Sequence, residues 1–299
     1  MTNATLTKLD LPDGYKTTPL LFGKTFTNAF SDPENYFKNL AETNCKEFSC
    51  RARITFYNAY KQNKALAAGA DGHGLSSVGS RDSPIFAFTH AVYQCNHPKD
   101  EPTRLCEAVS VNDFDVRDIY INGAKSHVEG LSKLIPPTEN NYAGEEFGGG
   151  FTSANGLRTS KWNDITPQKL DGIQTYSTQM LATAIKSEKP PVLIDVLAPS
   201  SVSIPSAVAL YNGGLAYSDP IREQSYDSRF ANLPQLISPD KSKPIIFYCA
   251  GRDLWFSVNA ALRAQKLGYT KVGWYRGGMT SWKAANLPLA NPMIRAVVQ

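Results

Sequence analysis

Cysteine is the residue type here most able to do chemistry, and the five cysteines are unevenly spread. Cys45, Cys50, Cys95 and Cys106 lie in the N-terminal half, and Cys249 stands alone in the C-terminal half. Cys249 ends the apolar run "IIFY" and precedes a helical pattern that opens near Ser257. One reading makes it a small buried hydrophobe. The other makes it a nucleophile, because loop N–H groups and the positive end of a following helix favour the thiolate. Arg252, three residues on, supplies a cation for an anionic substrate, whereas the Asp253 charge opposes both anion and thiolate.

The other four cysteines fall into close pairs, Cys45/Cys50 and Cys95/Cys106, and read as two disulfides beside one free thiol. Spacing alone leaves the connectivity open. A zinc site using these cysteines with His90 or His97 fits the C-x4-C spacing poorly. No metal and no cofactor is expected. Residues 148–150 are all glycine but follow no strand pattern, so they do not read as a phosphate-binding loop. Disulfides belong to oxidising compartments, yet the first residues lack the charged head and apolar core of a signal peptide. The expectation is a periplasmic or secreted protein whose signal peptide was trimmed, and otherwise a cytoplasmic one with reduced cysteines.

The elements that must position these residues divide the chain. Its 299 residues suggest two domains, and 42% hydrophobic content suffices for packed cores. A net charge of +4 without a basic block argues against nucleic acid as a partner, and no apolar stretch is long enough for membrane insertion. Residues 1–30 read as an irregular lead-in and residues 31–123 as a small α+β domain. Asp32 and Pro33 open a helix in that domain, while "RARITFYNAYKQ" reads as either helix or strand. A β-β-α-β unit follows: residues 64–68, a Gly/Asp turn over 69–74, residues 75–78, a helix from Ser83–Pro84 to about Gln94, and a strand opening at Cys106. A Cys95–Cys106 bridge would tie that helix end to that strand. Residues 124–163 read as a linker, with Gly, Asn, Pro, Ser and Thr dominating from Pro136 to Lys161.

Residues 164–292 read as an α/β domain with a parallel sheet. Ser177 caps a helix, and Val192, Leu193, Ile194 and Val196 form a continuous apolar run typical of a strand buried on both faces. "IPSAVAL" is a short extended piece, and "KPIIFYC" and "KVGWY" are strands around a helix that stops at Gly268. A Gly277–Gly278 turn leads into a last short helix.

This order, with Leu267, Gly268, Tyr269, Gly277, Gly278, Trp282, Leu287 and Pro288, resembles a rhodanese domain over about residues 165–292. The "NAALRA" helix and Trp255 are similar to rhodanese-like proteins found with quinoprotein (PQQ-dependent) catabolism. Residues 50–112 weakly resemble small secreted bacterial modules, which implies no activity. The rhodanese resemblance implies a thiosulfate-type sulfurtransferase with Cys249 as a catalytic persulfide carrier. Its substrate-binding loop would be Ala250, Gly251, Arg252, Asp253, Leu254 and Trp255, and its partner a small sulfur-containing anion such as thiosulfate.

The loop also departs from the family. Leu254 stands where an Arg is usual and where the quinoprotein-associated relatives carry a second cysteine. "DVR" becomes Asp195-Val196-Leu197, and "HIPGA" becomes Ser203-Ile204-Pro205-Ser206-Ala207. Trp255 stands six residues after Cys249, where a phosphatase loop on this fold needs Arg. These departures support an alternative: a catalytically inactive accessory protein acting with a partner such as a periplasmic quinoprotein oxidoreductase. Packing accounts for Trp255, Phe256, Trp274 and Trp282 without a ligand.

Overall fold

The computed structural model describes residues 19–21, 24–46, 48–99, 103–147, 156–197 and 202–298. Most of the lead-in and part of the linker therefore lie outside the described residues. A hairpin of Leu20–Leu21 (β1) and Lys24–Thr25 (β2) precedes helices Pro33–Asn44 (α1) and Phe48–Ala59 (α2). Asp32 accepts from Asn35 N–H at 3.1 Å, which satisfies an orphan donor of the first turn of α1. The segment open to either reading is α2. It is helical because Tyr57 is buried against Phe37 of α1, and the Cys45–Cys50 disulfide joins the two helices.

Ala65–Gly69 (β3), Leu75–Val78 (β4), Pro84–Asn96 (α3), Cys106–Val111 (β5) and Phe114–Asp115 (β6) follow. The strands form an antiparallel sheet in the order β4-β3-β5-β6, and α3 packs on it through Phe88 and Val92. The Cys95–Cys106 disulfide joins the last turn of α3 to the first residue of β5.

Part of the segment read as linker is helix Asp118–Lys133 (α4). Its buried residues Ile119, Tyr120, Gly123, His127 and Gly130 recur at helical spacing, a pattern weakened in the sequence because two of the five are glycine. A Cβ on Gly123 would stand 2.6 Å from Met293 Cγ, and one on Gly130 2.6 Å from Pro205 Cγ. The glycines are therefore packing residues, and α4 lies close against the C-terminal layer. A 3-10 turn at Tyr142–Gly144 follows.

The second layer contains Gln174–Tyr176 (β7), Thr178–Ile185 (α5), Val192–Asp195 (β8), Val208–Tyr211 (β9), Pro220–Ile237 (α6), Ile245–Tyr248 (β10), Phe256–Lys266 (α7), Val272–Tyr275 (β11), Gly278–Ala284 (α8) and Ile294–Val297 (β12). Its six strands are all parallel, in the order β12-β9-β8-β10-β11-β7. From neighbours β8 and β10 the chain departs to opposite sides, so their carboxyl ends form the switch-point crevice where ligands bind in such sheets.

β12 lies beyond residue 292, where the sequence reading closed this domain. Ile294 and Val297 share an apolar cluster with Phe88 and Val92 of α3. Tyr120 donates to the Ile294 carbonyl at 3.0 Å, and His97 Nε2 lies 3.1 Å from the Val297 carbonyl. The two layers are thus packed on one another through the C-terminal strand. Among the described residues, no helix is long and apolar enough to cross a membrane, and no three His, Cys, Asp or Glu are grouped to hold a metal.

Candidate active site around Cys249

Cys249 follows β10 directly and stands beside the end of β8, since Tyr248 pairs with Asp195. The loop after it is held from one side by α8. Met279 N–H donates to the Cys249 carbonyl at 3.0 Å and Thr280 N–H to the Ala250 carbonyl at 2.8 Å. This close approach requires glycine at 278, where φ is +55° and a Cβ would stand 2.3 Å from the Cys249 carbonyl oxygen.

The thiol points into the layer between the sheet and α7 and is 1% exposed. Its Sγ lies 3.1 Å from Ser257 Oγ, 3.3 Å from the Leu254 carbonyl oxygen and 3.8 Å from that of Gly251. Burial pushes the thiol pKa up, the Ser257 hydroxyl and the backbone of Ser257 and Gly251 pull it down, and the Asp195 charge adds to the rise. Asp195 itself is raised to about 6, because burial outweighs the hydrogen bonds from Leu197 N–H, Tyr248 and Ser203. α7 has no side-chain cap, so its first-turn N–H groups are free of that competitor.

A strap from the segment before β7 holds the loop from the other side. Thr166 N–H and Oγ1–H both donate to the Arg252 carbonyl, at 2.9 and 2.6 Å. Trp255 N–H donates to the Trp162 carbonyl at 3.0 Å, and Trp255 Nε1–H to the Ile165 carbonyl at 3.2 Å. The N–H of Trp255 and the carbonyl of Leu254 belong to one peptide unit, and they point oppositely. The strap therefore turns the Leu254 carbonyl, rather than an N–H, toward the sulfur. The Arg252 guanidinium donates to the Gly144 carbonyl, and its Nε lies 3.7 Å from Asp253.

Against the outer face of the loop lies a cavity of about 410 Å³, walled by residues 250–254 together with Ala143, Asn163, Gly277, Thr280 and Ser281. Cys249 is not among its walls.

Residues 177–285 match the family described as Rhodanese-like domain. The C-terminal half of the chain carries a rhodanese-like domain. No curated protein matches the chain. Among solved structures, a thiosulfate sulfurtransferase from Pseudomonas aeruginosa is similar at 18% identity and a TM-score of 0.29, over 42% of this chain and 22% of that one. The chain thus spans less than a quarter of that enzyme's length. An uncharacterized protein from Saccharomyces cerevisiae is similar at 27% identity and a TM-score of 0.27, over 38% of this chain and 92% of that one. A protein of unknown function from Rhodopseudomonas palustris, titled a possible tyrosine phosphatase, is similar at 24% identity and a TM-score of 0.23, over 33% of this chain and 69% of that one. Each resemblance covers part of the chain, and none bears on its activity.

In the rhodanese-like domain, Ala250, Gly251, Arg252, Asp253 and Leu254 come together around the cavity. Trp255 does not join them: it is 8% exposed, packs into the core, and carries the Arg158 guanidinium 4.8 Å from its ring. Asp253 is the most exposed of the set, with 70% of its side chain accessible. Ser257, Trp162 and Thr166 were not among the expected site residues. Ser257 carried a signal, as a hydroxyl in the first turn after the loop. Trp162 and Thr166 carried none, because they lie in or next to an irregular polar segment some 90 residues away in sequence.

Proposed function

We propose that the rhodanese-like domain is a sulfurtransferase that carries sulfane sulfur as a persulfide on Cys249. The observation that carries this reading is the placement of Cys249 at the switch-point end of β10, with Ser257 Oγ 3.1 Å from its sulfur and the uncapped head of α7 beside it. The step needs no added oxidant. The Cys249 thiolate attacks the outer sulfur of thiosulfate, a cysteine S–S bond forms, and the bond to the sulfonate sulfur breaks. Sulfite leaves with the electron pair. An acceptor thiolate or cyanide then attacks the terminal sulfur and returns the thiolate, a ping-pong cycle. Arg252 at the cavity is the group suited to the anionic donor. The two disulfides favour an oxidising compartment, periplasmic or extracellular, as the place of action.

A second reading has its own observation. The thiol is buried with the Leu254 carbonyl 3.3 Å away, an arrangement that suits a neutral S–H and opposes a thiolate. On this reading the domain is a non-catalytic binding module for a protein partner. Intact-mass measurement after incubation with thiosulfate separates the two. Gain of one sulfur atom by the wild type and not by Cys249→Ser establishes the carrier. No gain, with the fold intact in both, leaves the binding module.

A further inference from the structure

Ser257 and Trp274 form a buried chain of polar contacts that ends at the Cys249 sulfur. Ser257 is 1% exposed and Trp274 is fully buried. Trp274 lies on β11 opposite Phe247 of β10, so the sheet register fixes its height beside the loop. Its Nε1–H donates to Ser257 Oγ at 3.0 Å, and that oxygen lies 3.1 Å from Cys249 Sγ.

The direction of these bonds follows from donor chemistry. An indole N–H only donates, so Ser257 Oγ is an acceptor toward Trp274. The one hydroxyl hydrogen of Ser257 is then free for the sulfur. The thiol hydrogen has its own acceptor in the Leu254 carbonyl at 3.3 Å. The order Trp274 to Ser257 to Cys249 thus satisfies every group without conflict. A hydrogen bond that ends on sulfur strengthens when the sulfur takes charge, as thiolate or as the terminal persulfide.

We propose that Ser257 is a catalytic residue of this domain, donating a hydrogen bond to the charged sulfur on Cys249, and that Trp274 is the positioning residue that orients it. The inference rests on the sulfurtransferase reading for its purpose, though not for its test. It goes beyond the loop residues 250–254, none of which supplies a side-chain donor to the sulfur among the described contacts.

The test is the pH profile of Cys249 alkylation by iodoacetamide in the full-length protein, with the four disulfide cysteines left oxidised. Ser257→Ala is expected to move the midpoint upward by about one pH unit, the effect of losing one hydrogen bond to a charged group. Ser257→Thr, which keeps the hydroxyl, is expected to restore it. Trp274→Phe is expected to give a smaller upward shift, and to add nothing in a Ser257→Ala background. Trp274→Phe also carries the test if Ser257→Ala does not fold. An unchanged midpoint in the folded variants overturns the proposal. The alkylation profile is independent of sulfur uptake. A shifted midpoint in a protein that takes no sulfur from thiosulfate would sink the sulfurtransferase reading while leaving the donor role standing. Sulfur uptake with an unshifted midpoint would do the reverse.

Discussion

The two layers of this molecule handle cysteine in opposite ways. In the N-terminal layer, partners are close in sequence: Cys45 and Cys50 are 5 residues apart, and Cys95 and Cys106 are 11. Each pair joins elements that local patterning already brings together. In the C-terminal layer, Cys249 is the free cysteine. The groups that touch its sulfur, Gly251, Leu254 and Ser257, are near in sequence, but the groups that orient them are distant. Trp162 and Thr166 orient its loop from the strap, and Trp274 reaches it through Ser257 from the next strand. A disulfide is a local staple that needs only two side chains at the right separation. A reactive or silenced thiol depends on the dipoles around it, and those arrive from the whole fold.

The sharpest way to break this contrast is to remove a staple. Replacing Cys95 and Cys106 by alanine is expected to cost about 3 kcal/mol, and Cys45 with Cys50 about 2, since the smaller loop constrains the unfolded chain less. Urea unfolding followed by tryptophan fluorescence is the informative measurement, because Trp162, Trp255, Trp274 and Trp282 all lie in the C-terminal half. With β12 packed on α3, the loss should appear in the tryptophan signal as one transition. An unshifted tryptophan midpoint would mean that the layers unfold separately.

A second prediction concerns pH, and again sets one layer against the other. Burial pushes His97 down to about 4 from an ordinary 6.5, so the folded state excludes a proton that the unfolded chain accepts. That contribution is intact above pH 6.5 and is lost as pH falls toward 4. Asp195 runs the other way. Burial raises it from 3.8 to about 6, so the folded state keeps a proton that the unfolded chain releases, and stability is lost as pH rises through that window. Each effect is about 2 kcal/mol after allowance for solvent screening, and they oppose one another. Asp195→Asn should therefore expose a loss of stability on acidification, and His97→Gln a loss on going from pH 4 to 6, both readable as thermal midpoints. Identical profiles for the two variants would refute the assignment.

The smallest expected effect tests the strap itself. Trp255→Phe removes the indole hydrogen bond to the Ile165 carbonyl, and Thr166→Val removes one of two bonds to the Arg252 carbonyl. Either change should loosen the loop that turns the Leu254 carbonyl to the sulfur. Alkylation of Cys249 at pH 8 is expected to rise severalfold in folded protein, about 1 kcal/mol of lost restraint. Equal rates in wild type and variants would show that burial alone protects the thiol.

Much of the framework was legible in the sequence because it rests on local signals. Asp32–Pro33, Ser83–Pro84 and Ser177 each mark a helix start through a capping oxygen, and all three act as caps. The apolar runs of β8, β10 and β11 reveal strands covered on both faces. α6 escaped notice although Asp219 and Pro220 carry the same kind of signal, because its face is largely polar. α4 was hidden by glycines that pack against Met293 and Pro205, and β12 by its shortness at the end of the chain.

The sequence by itself determined the parallel α/β layer, the closeness of the four N-terminal cysteines in two groups and Cys249 at the mouth of the loop, since strand runs, caps and spacing act over a few residues. The structure supplied the disulfide connectivity. Only the tertiary structure decided which way the loop peptides face, which hydroxyl reaches the sulfur and how the two layers share a core. Those depend on hydrogen bonds between segments far apart in the chain, such as Trp162 to Trp255 and Trp274 to Ser257, and no local pattern records them.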